Sequence, residues 1–292
     1  MTQRSGQRVD HEPHAARRLI VTSDDFGAAI AVNEAVERAH RHGILTAASL
    51  MVSGDAAADA VERAKAMPKL GVGLHLVLVE GRPTLPAEQV PDLVDATGLF
   101  RADMVRAGIT IFAKPAARRQ LLAEVDAQFA AFAATGLPLD HVNAHKHFHL
   151  HPTIASAILR VGPRYGMKSV RAPIEPRDVL AQIEPAANGV DVARRWALLV
   201  RRRMRAAGMT VPDQVFGLAW SGAMNAARMR ALIARLPDGL TEIYTHPATD
   251  DHYPGHAPGY GYRDELAALI DPLAHEALLR ERIRQGSFTD FA

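Results

Sequence analysis

Arg18-Leu-Ile-Val-Thr-Ser23 runs directly into Asp24-Asp25-Phe26-Gly27, and this stretch decides the fold. The first six residues are apolar and β-branched enough to read as a buried strand, and two carboxylates stand at its C-terminal end. The apolar spacing of Ala31, Val32, Ala35 and Ala39 then predicts a helix over 30–42. Adjacent residues point in different directions, so one aspartate can ligate a metal while the other accepts a proton. Capping the helix would need only one of them.

The same strand-then-helix rhythm continues outward. Strands are predicted at 45–52, 71–79, 169–172, 215–219 and 240–246, with another carrying the stretch His141-Val-Asn-Ala-His-Lys-His-Phe-His-Leu-His151. If that stretch is extended, His145, His147, His149 and His151 share one face. Neutral imidazole is a common ligand for zinc-like ions, although at most one or two of these side chains can share one ion. His75 interrupts the aliphatic run 71–79, and His246 ends the run 240–246. In a parallel sheet such strand ends converge on one rim. Helices are expected at 55–67, 116–135, 152–165, 190–207, 226–236, 262–270 and 273–284, and 80–114 reads as a long connection that shapes the substrate pocket. The fold class is therefore α/β: a distorted seven-stranded TIM-like barrel in a single domain over 18–292, preceded by a disordered segment 1–17.

Composition narrows the function classes. The 292 residues are 48% hydrophobic, enough for a large core, and 34 Lys and Arg face 32 Asp and Glu, which points to no polyanionic partner. With no cysteine, any metal must sit on His, Asp or Glu. Neither a secretory signal nor a membrane span is legible, so the expected location is cytoplasmic. No Gly-x-Gly-x-x-Gly stretch follows a strand, which leaves a nucleotide fold without support. A basic, proline-punctuated insertion at about 172–219 carries a helix over 190–207, where Trp196, Leu198, Leu199 and Met204 stand among Arg194, Arg195, Arg201, Arg202, Arg203 and Arg205. Such a helix suits peripheral contact with an anionic inner-membrane surface, or else is a solvated face. Nucleic acid is not expected, because exposed stacking aromatics do not interleave the charge.

Four motifs, 22–27 (Thr-Ser-Asp-Asp-Phe-Gly), 73–76 (Gly-Leu-His-Leu), 145–149 (His-Lys-His-Phe-His) and 244–247 (Tyr-Thr-His-Pro), occur in the order found in the YdjC-like carbohydrate deacetylases, which the chain resembles from Arg18 onward. The resemblance implies a divalent metal and removal of an N-acetyl group from an amino sugar. It implies Asp25, His75 and His145 as metal ligands, Asp24 as general base and His246 as the acid that protonates the departing amine. His147 and His149 would then contact substrate. By analogy with the wider polysaccharide deacetylases, Arg171 would pair with Asp24. Zn suits the imidazoles, while Mg is the metal often described for the family. The longer wording 142–152 together with 170–175 resembles the hopanoid-biosynthesis-associated branch, whose implied substrate is an N-acetylglucosaminyl bacteriohopanetetrol. Soluble chitooligosaccharide is the alternative substrate, and a non-catalytic metal- or sugar-binding protein or a metal-dependent phosphoesterase is the alternative class. Family members commonly read Asp-Ser-His where this chain has Asn143-Ala144-His145, so a neutral side chain must do any orienting of the ligand histidine.

Overall fold

A computed structural model describes residues 17–185 and 192–292. The expected disordered segment, apart from Arg17, and the first residues of the basic helix lie outside the described residues. Seven strands are present among the described residues: β1 Arg17–Phe26, β2 Ala47–Leu50, β3 Gly71–Leu76, β4 Val142–Ala144, β5 Gln214–Phe216, β6 Gly239–Thr245 and β7 Arg284–Gln285. All pair in parallel in the order β4-β3-β2-β1-β6-β5, and β7 pairs with the start of β1. Parallel pairing requires crossovers. Helices α1 Ile30–His42, α2 Ala57–Lys65, α3 Met104–Ala113, α4 Pro115–Ala134, α5 Pro152–Val161, α6 Arg177–Leu180, α7 Val192–Ala206, α8 Ala226–Ile233, α9 Tyr262–Leu269 and α10 Pro272–Arg280 supply most of them.

The sheet is curled. In a flat sheet β4 and β1, three strands apart, would stand roughly 14 Å from each other. Yet Asn143 of β4 donates to Asp24 of β1 over 3.1 Å. The side chains that alternate inward along β1 and β6 therefore form layers. Ile20, Leu240, Ala47 and Phe288 make an apolar floor. Thr22 and Glu242, 2.9 Å apart, lie above it, and Asp24 and Tyr244 complete the next layer.

Three sequence expectations are corrected. The expected barrel is an open, curled sheet, because 169–172 forms no full strand. It makes isolated parallel bridges, Val170 to Val142 and Ser169 to Thr210, and Pro173, which has no N–H to donate, interrupts it before the Ile174 carbonyl accepts from the Val215 N–H at 2.9 Å. The connection 80–114 contains α3, whose Asp103 cap accepts from the Arg106 N–H at 2.9 Å. Its β-branched run 109–111 disguises the helix. The histidine stretch is not extended: β4 stops at Ala144, and 145–150 coils as two short 3-10 turns kinked at Lys146 and His147, with φ of 52° and 54°. The insertion 172–219 does carry α7, bounded by α6 and β5.

Candidate active site

The two aspartates are separated by a β-bulge. Ser23 pairs with Ala48 and Phe26 with Leu50, so three steps along β1 match two along β2. Asp25 takes the extra position with φ of 60°. A bulge redirects side chains, and here it sends Asp24 into the curl and Asp25 toward β3 and β4.

Asp24 is buried and held by a fork. Arg171 Nη1 donates to its Oδ2 at 2.5 Å and Nη2 to its Oδ1 at 2.9 Å. The same guanidinium donates to Glu242 Oε1 at 2.6 Å and lies 4.5 Å above the Tyr244 ring. Burial alone would raise the Asp24 carboxyl, but Arg171 and then His75 outweigh it and hold the group ionised well below the usual range. Asn143 Nδ2 and Ser49 Oγ each stand 3.1 Å from Oδ1.

Asp25 Oδ1 lies 3.2 Å from His75 Nε2 and 3.2 Å from His145 Nδ1. One donor atom from each of these residues falls within 4.8 Å of the others. A carboxylate and two imidazoles converging at this spacing fit a divalent cation. The second ring nitrogen of His75 is fixed, since Nδ1 donates to Asn143 Oδ1 at 2.7 Å and Nε2 is left facing Asp25. Asn143 therefore orients His75 rather than His145, the histidine two residues after it. Burial opposes charge on His75, yet Asp24 and Asp25 raise its pKa. The histidines act on Asp25 in return: burial raises it, while His145 and then His75 pull it well below the usual range.

Asp24, Asp25, His75 and His145 line a cavity of about 870 Å³, together with His147, Tyr244, His246, Tyr253, Tyr260 and Tyr262. His147 Nε2 is 3.0 Å from the Tyr244 hydroxyl. Its burial, and then Arg171, push its pKa well down, so it is neutral. The buried His246 Nδ1 has no hydrogen-bond partner among the described residues, and the His246 backbone N–H donates to Glu265 at 2.5 Å. Lys146 pairs with Glu80 at the rim. The kink divides the remaining histidines. His149 is fully buried, does not line the cavity, donates from Nε2 to the Arg171 carbonyl at 3.0 Å, and has a pKa lowered to about 3 by burial and then Arg171. His151 packs against Phe112 and Phe148 on the far side.

Sequence reasoning missed Ser49, Glu242 and the tyrosines of 253–262. Ser49 and Glu242 had a faint signal, each being a polar residue inside an apolar strand. Tyr253 and Tyr260 come from a Gly- and Pro-rich loop with no periodicity to read, and Tyr262 opens α9 directly after it.

Residues 18–280 match the family described as YdjC-like protein. A carbohydrate deacetylase of Geobacillus stearothermophilus is 31% identical over 278 residues, covering 94% of this chain and 98% of that protein. One from Mus musculus is 33% identical over 264 residues, covering 84% and 81%. One from Brevibacillus brevis is 40% identical over 148 residues, or 51% and 56%, so against that relative the match spans little more than half of either length. A solved Enterococcus faecalis V583 protein superposes with a TM-score of 0.74 at 24% identity, covering 94% of this chain and 99% of that one, and so shares the fold.

Proposed function

The chain belongs to the YdjC-like family, and from that premise we propose that it is a hydrolase of linear amide C–N bonds that removes the N-acetyl group from an amino sugar. The observation that carries the reading is the division of labour at the bulge. Asp25 converges with two imidazoles, while Asp24, one residue away, stays out of that set and opens on the same cavity. A mere binding site would have no use for a second carboxylate fixed by a buried arginine.

Asp25, His75 and His145 would hold the divalent ion, with Zn favoured over Mg by the two imidazoles. When bound, it supplies Lewis-acid polarisation of the acetyl carbonyl. Asp24 accepts a proton from the attacking water, and Arg171 keeps it ionised and aimed. His246, across the cavity, donates a proton to the departing amine. His147, fixed in its neutral form against Tyr244, contacts the sugar, and the faces of Tyr253 and Tyr260 offer it stacking surface. His149, outside the cavity, acts only by supporting the Arg171 backbone.

The finer reading is that the sugar is lipid-linked, as in N-acetylglucosaminyl bacteriohopanetetrol. Exposed apolar surface supports it. Val105, Ile109 and Phe112 form an i, i+4, i+7 stripe on α3, and Trp196 and Leu199 stand exposed on α7. Phe112 meets His151, and Arg203 of α7 donates to the carbonyl of Pro152 at 3.4 Å, so both helices flank one corner. Soluble chitooligosaccharide is favoured instead by the aromatic lining of the cavity.

The deciding experiment is mass spectrometry of metal-reconstituted protein incubated in parallel with N-acetylglucosaminyl bacteriohopanetetrol and diacetylchitobiose. Loss of one acetyl group from the lipid, abolished by chelator and by Asp24→Asn, is expected. Hydrolysis of diacetylchitobiose alone would retain the chemistry and remove the lipid. Inertness on both, with metal bound, would remove the enzyme reading.

A further inference from the structure

Behind Asp24 the interior of the curl holds a chain of polar side chains that hydrolysis itself does not call for. Ser49 Oγ lies 2.9 Å from His141 Nε2 as well as 3.1 Å from Asp24 Oδ1. His141 Nδ1 lies 2.9 Å from Asp140 Oδ2. Ser49 and His141 are fully buried and Asp140 almost so. Asp140 also accepts from the Thr289 N–H at 2.8 Å, the Thr289 hydroxyl at 2.7 Å and the Phe288 N–H at 3.3 Å.

The fold leaves room for this chain. A Cβ on Gly73 would stand 2.5 Å from the His141 ring, and one on Gly71 would stand 2.7 Å from the Asp140 carboxyl. Only glycine is tolerated at either position of β3 with these side chains in place. Phe288 stacks on the imidazole with ring centroids 4.2 Å apart. A ring packed and hydrogen-bonded in this way has one orientation.

We infer that Asp140, His141 and Ser49 are positioning residues for Asp24, an inference that rests on the reading of Asp24 as the base. The Ser49 hydroxyl has one proton and two lone pairs. Asn143 Nδ2 occupies one lone pair at 2.8 Å. The single proton then serves either Asp24 Oδ1 or His141 Nε2, so the far end of the chain decides how Ser49 presents itself to the base. Asp140 fixes the imidazole, the imidazole fixes the hydroxyl, and the hydroxyl sets the last unshared contact of Asp24 Oδ1. Because Arg171 and Asn143 still hold Asp24 without it, the expected effect is modest.

The test uses the full-length, metal-loaded protein. Ser49→Ala and His141→Asn are expected to lower kcat about tenfold with KM and bound metal unchanged. His141→Gln, whose amide reaches the place of Nε2, should recover most of the loss. The double variant Ser49→Ala/His141→Asn should be no slower than Ser49→Ala alone. A second measurement needs no turnover: in nitrogen-15 NMR, Asp24→Asn should move the His141 Nε2 resonance when Ser49 is present and leave it unmoved in the Ser49→Ala background. Parental kcat in both single variants, additive losses in the double, parallel loss of metal and KM, or an Nε2 resonance indifferent to Asp24 would overturn the inference. If neither sugar is hydrolysed by the parent, the proposed function fails, and the NMR response still decides whether the chain is coupled to Asp24.

Discussion

At the scale of single residues, the site is a set of buried charges each made tolerable by one particular partner. Arg171 is fully buried between Asp24 and Glu242, and deleting one member of such a cluster strands the others in low dielectric. Asn143 has a different duty, since it fixes which nitrogen of His75 faces Asp25. Partners of this kind commonly tune metal affinity by about 10–100-fold. Asn143→Ala should therefore weaken Zn binding in calorimetry by roughly that factor, while Asn143→Asp keeps an acceptor for His75 Nδ1 and binds within about tenfold of the parent; unchanged affinity in Asn143→Ala would refute the role. Asp140 ties the chain to acid stability. Burial would raise its pKa, but His141 and Thr289 hold it down at about 2, against an ordinary 3.8. A depressed folded pKa contributes stability that is present above the unfolded value and is lost as pH falls toward the folded one. The contribution is about 2 kcal/mol at neutral pH. In urea titrations, Asp140→Asn should be less stable than the parent by about that amount above about pH 5, and the gap should narrow as pH falls from about 4 toward 2. A gap independent of pH would mean that the carboxylate's charge is not what matters.

At the scale of elements, what was legible and what was not follows from where the information lies. β1, β3 and β6 were readable because their apolar runs are long, and α1 because its apolar spacing is regular. The histidine stretch was misread because its polar and apolar residues fit two periods. Alternation satisfies a strand, but His145, Phe148 and His151 are also three apart, as 3-10 turns require. The left-handed φ of Lys146 and His147 settles the matter in a way that no pattern displays. α7 was legible as a basic amphipathic helix, and the structure adds that Arg201 and Arg205 are engaged with Asp213, while Trp196 is 47% exposed and Leu199 55%. A membrane-facing role for these two can be tested on the element alone. Trp196→Glu should weaken association with anionic liposomes in a flotation assay while hydrolysis of a soluble N-acetylglucosamine analogue continues at the parental rate. Equal loss of both would mean that Trp196 serves the fold, not a surface.

At the scale of the whole molecule, the site exists only because the sheet curls, and the groups that meet there are far apart in sequence. Thr22 meets Glu242 across 220 residues, and Ser49 meets His141 across 92. The convergence of Asp24, Asp25, His75 and His145 at strand ends was foreseeable from the alternating pattern. The polar interior was not, because a lone serine or glutamate in an apolar run shows no partner until the curl supplies one. By the same dependence, the proposed metal site is a property of the native state. Asp25, His75 and His145 come from three strand ends, so the unfolded chain has no such site and a bound ion stabilises by mass action. At free metal about 100 times Kd the gain is about 2.7 kcal/mol. With roughly 2–4 °C per kcal/mol for chains of comparable size, Tm should rise by about 5–10 °C. Zn should produce the shift at lower concentration than Mg, since two of the three donors are imidazoles. Scanning calorimetry of the parent and of Asp25→Ala checks both points. A chelator-reversible rise in the parent that is absent from Asp25→Ala is expected, and a rise of equal size in both would place the metal elsewhere on the chain.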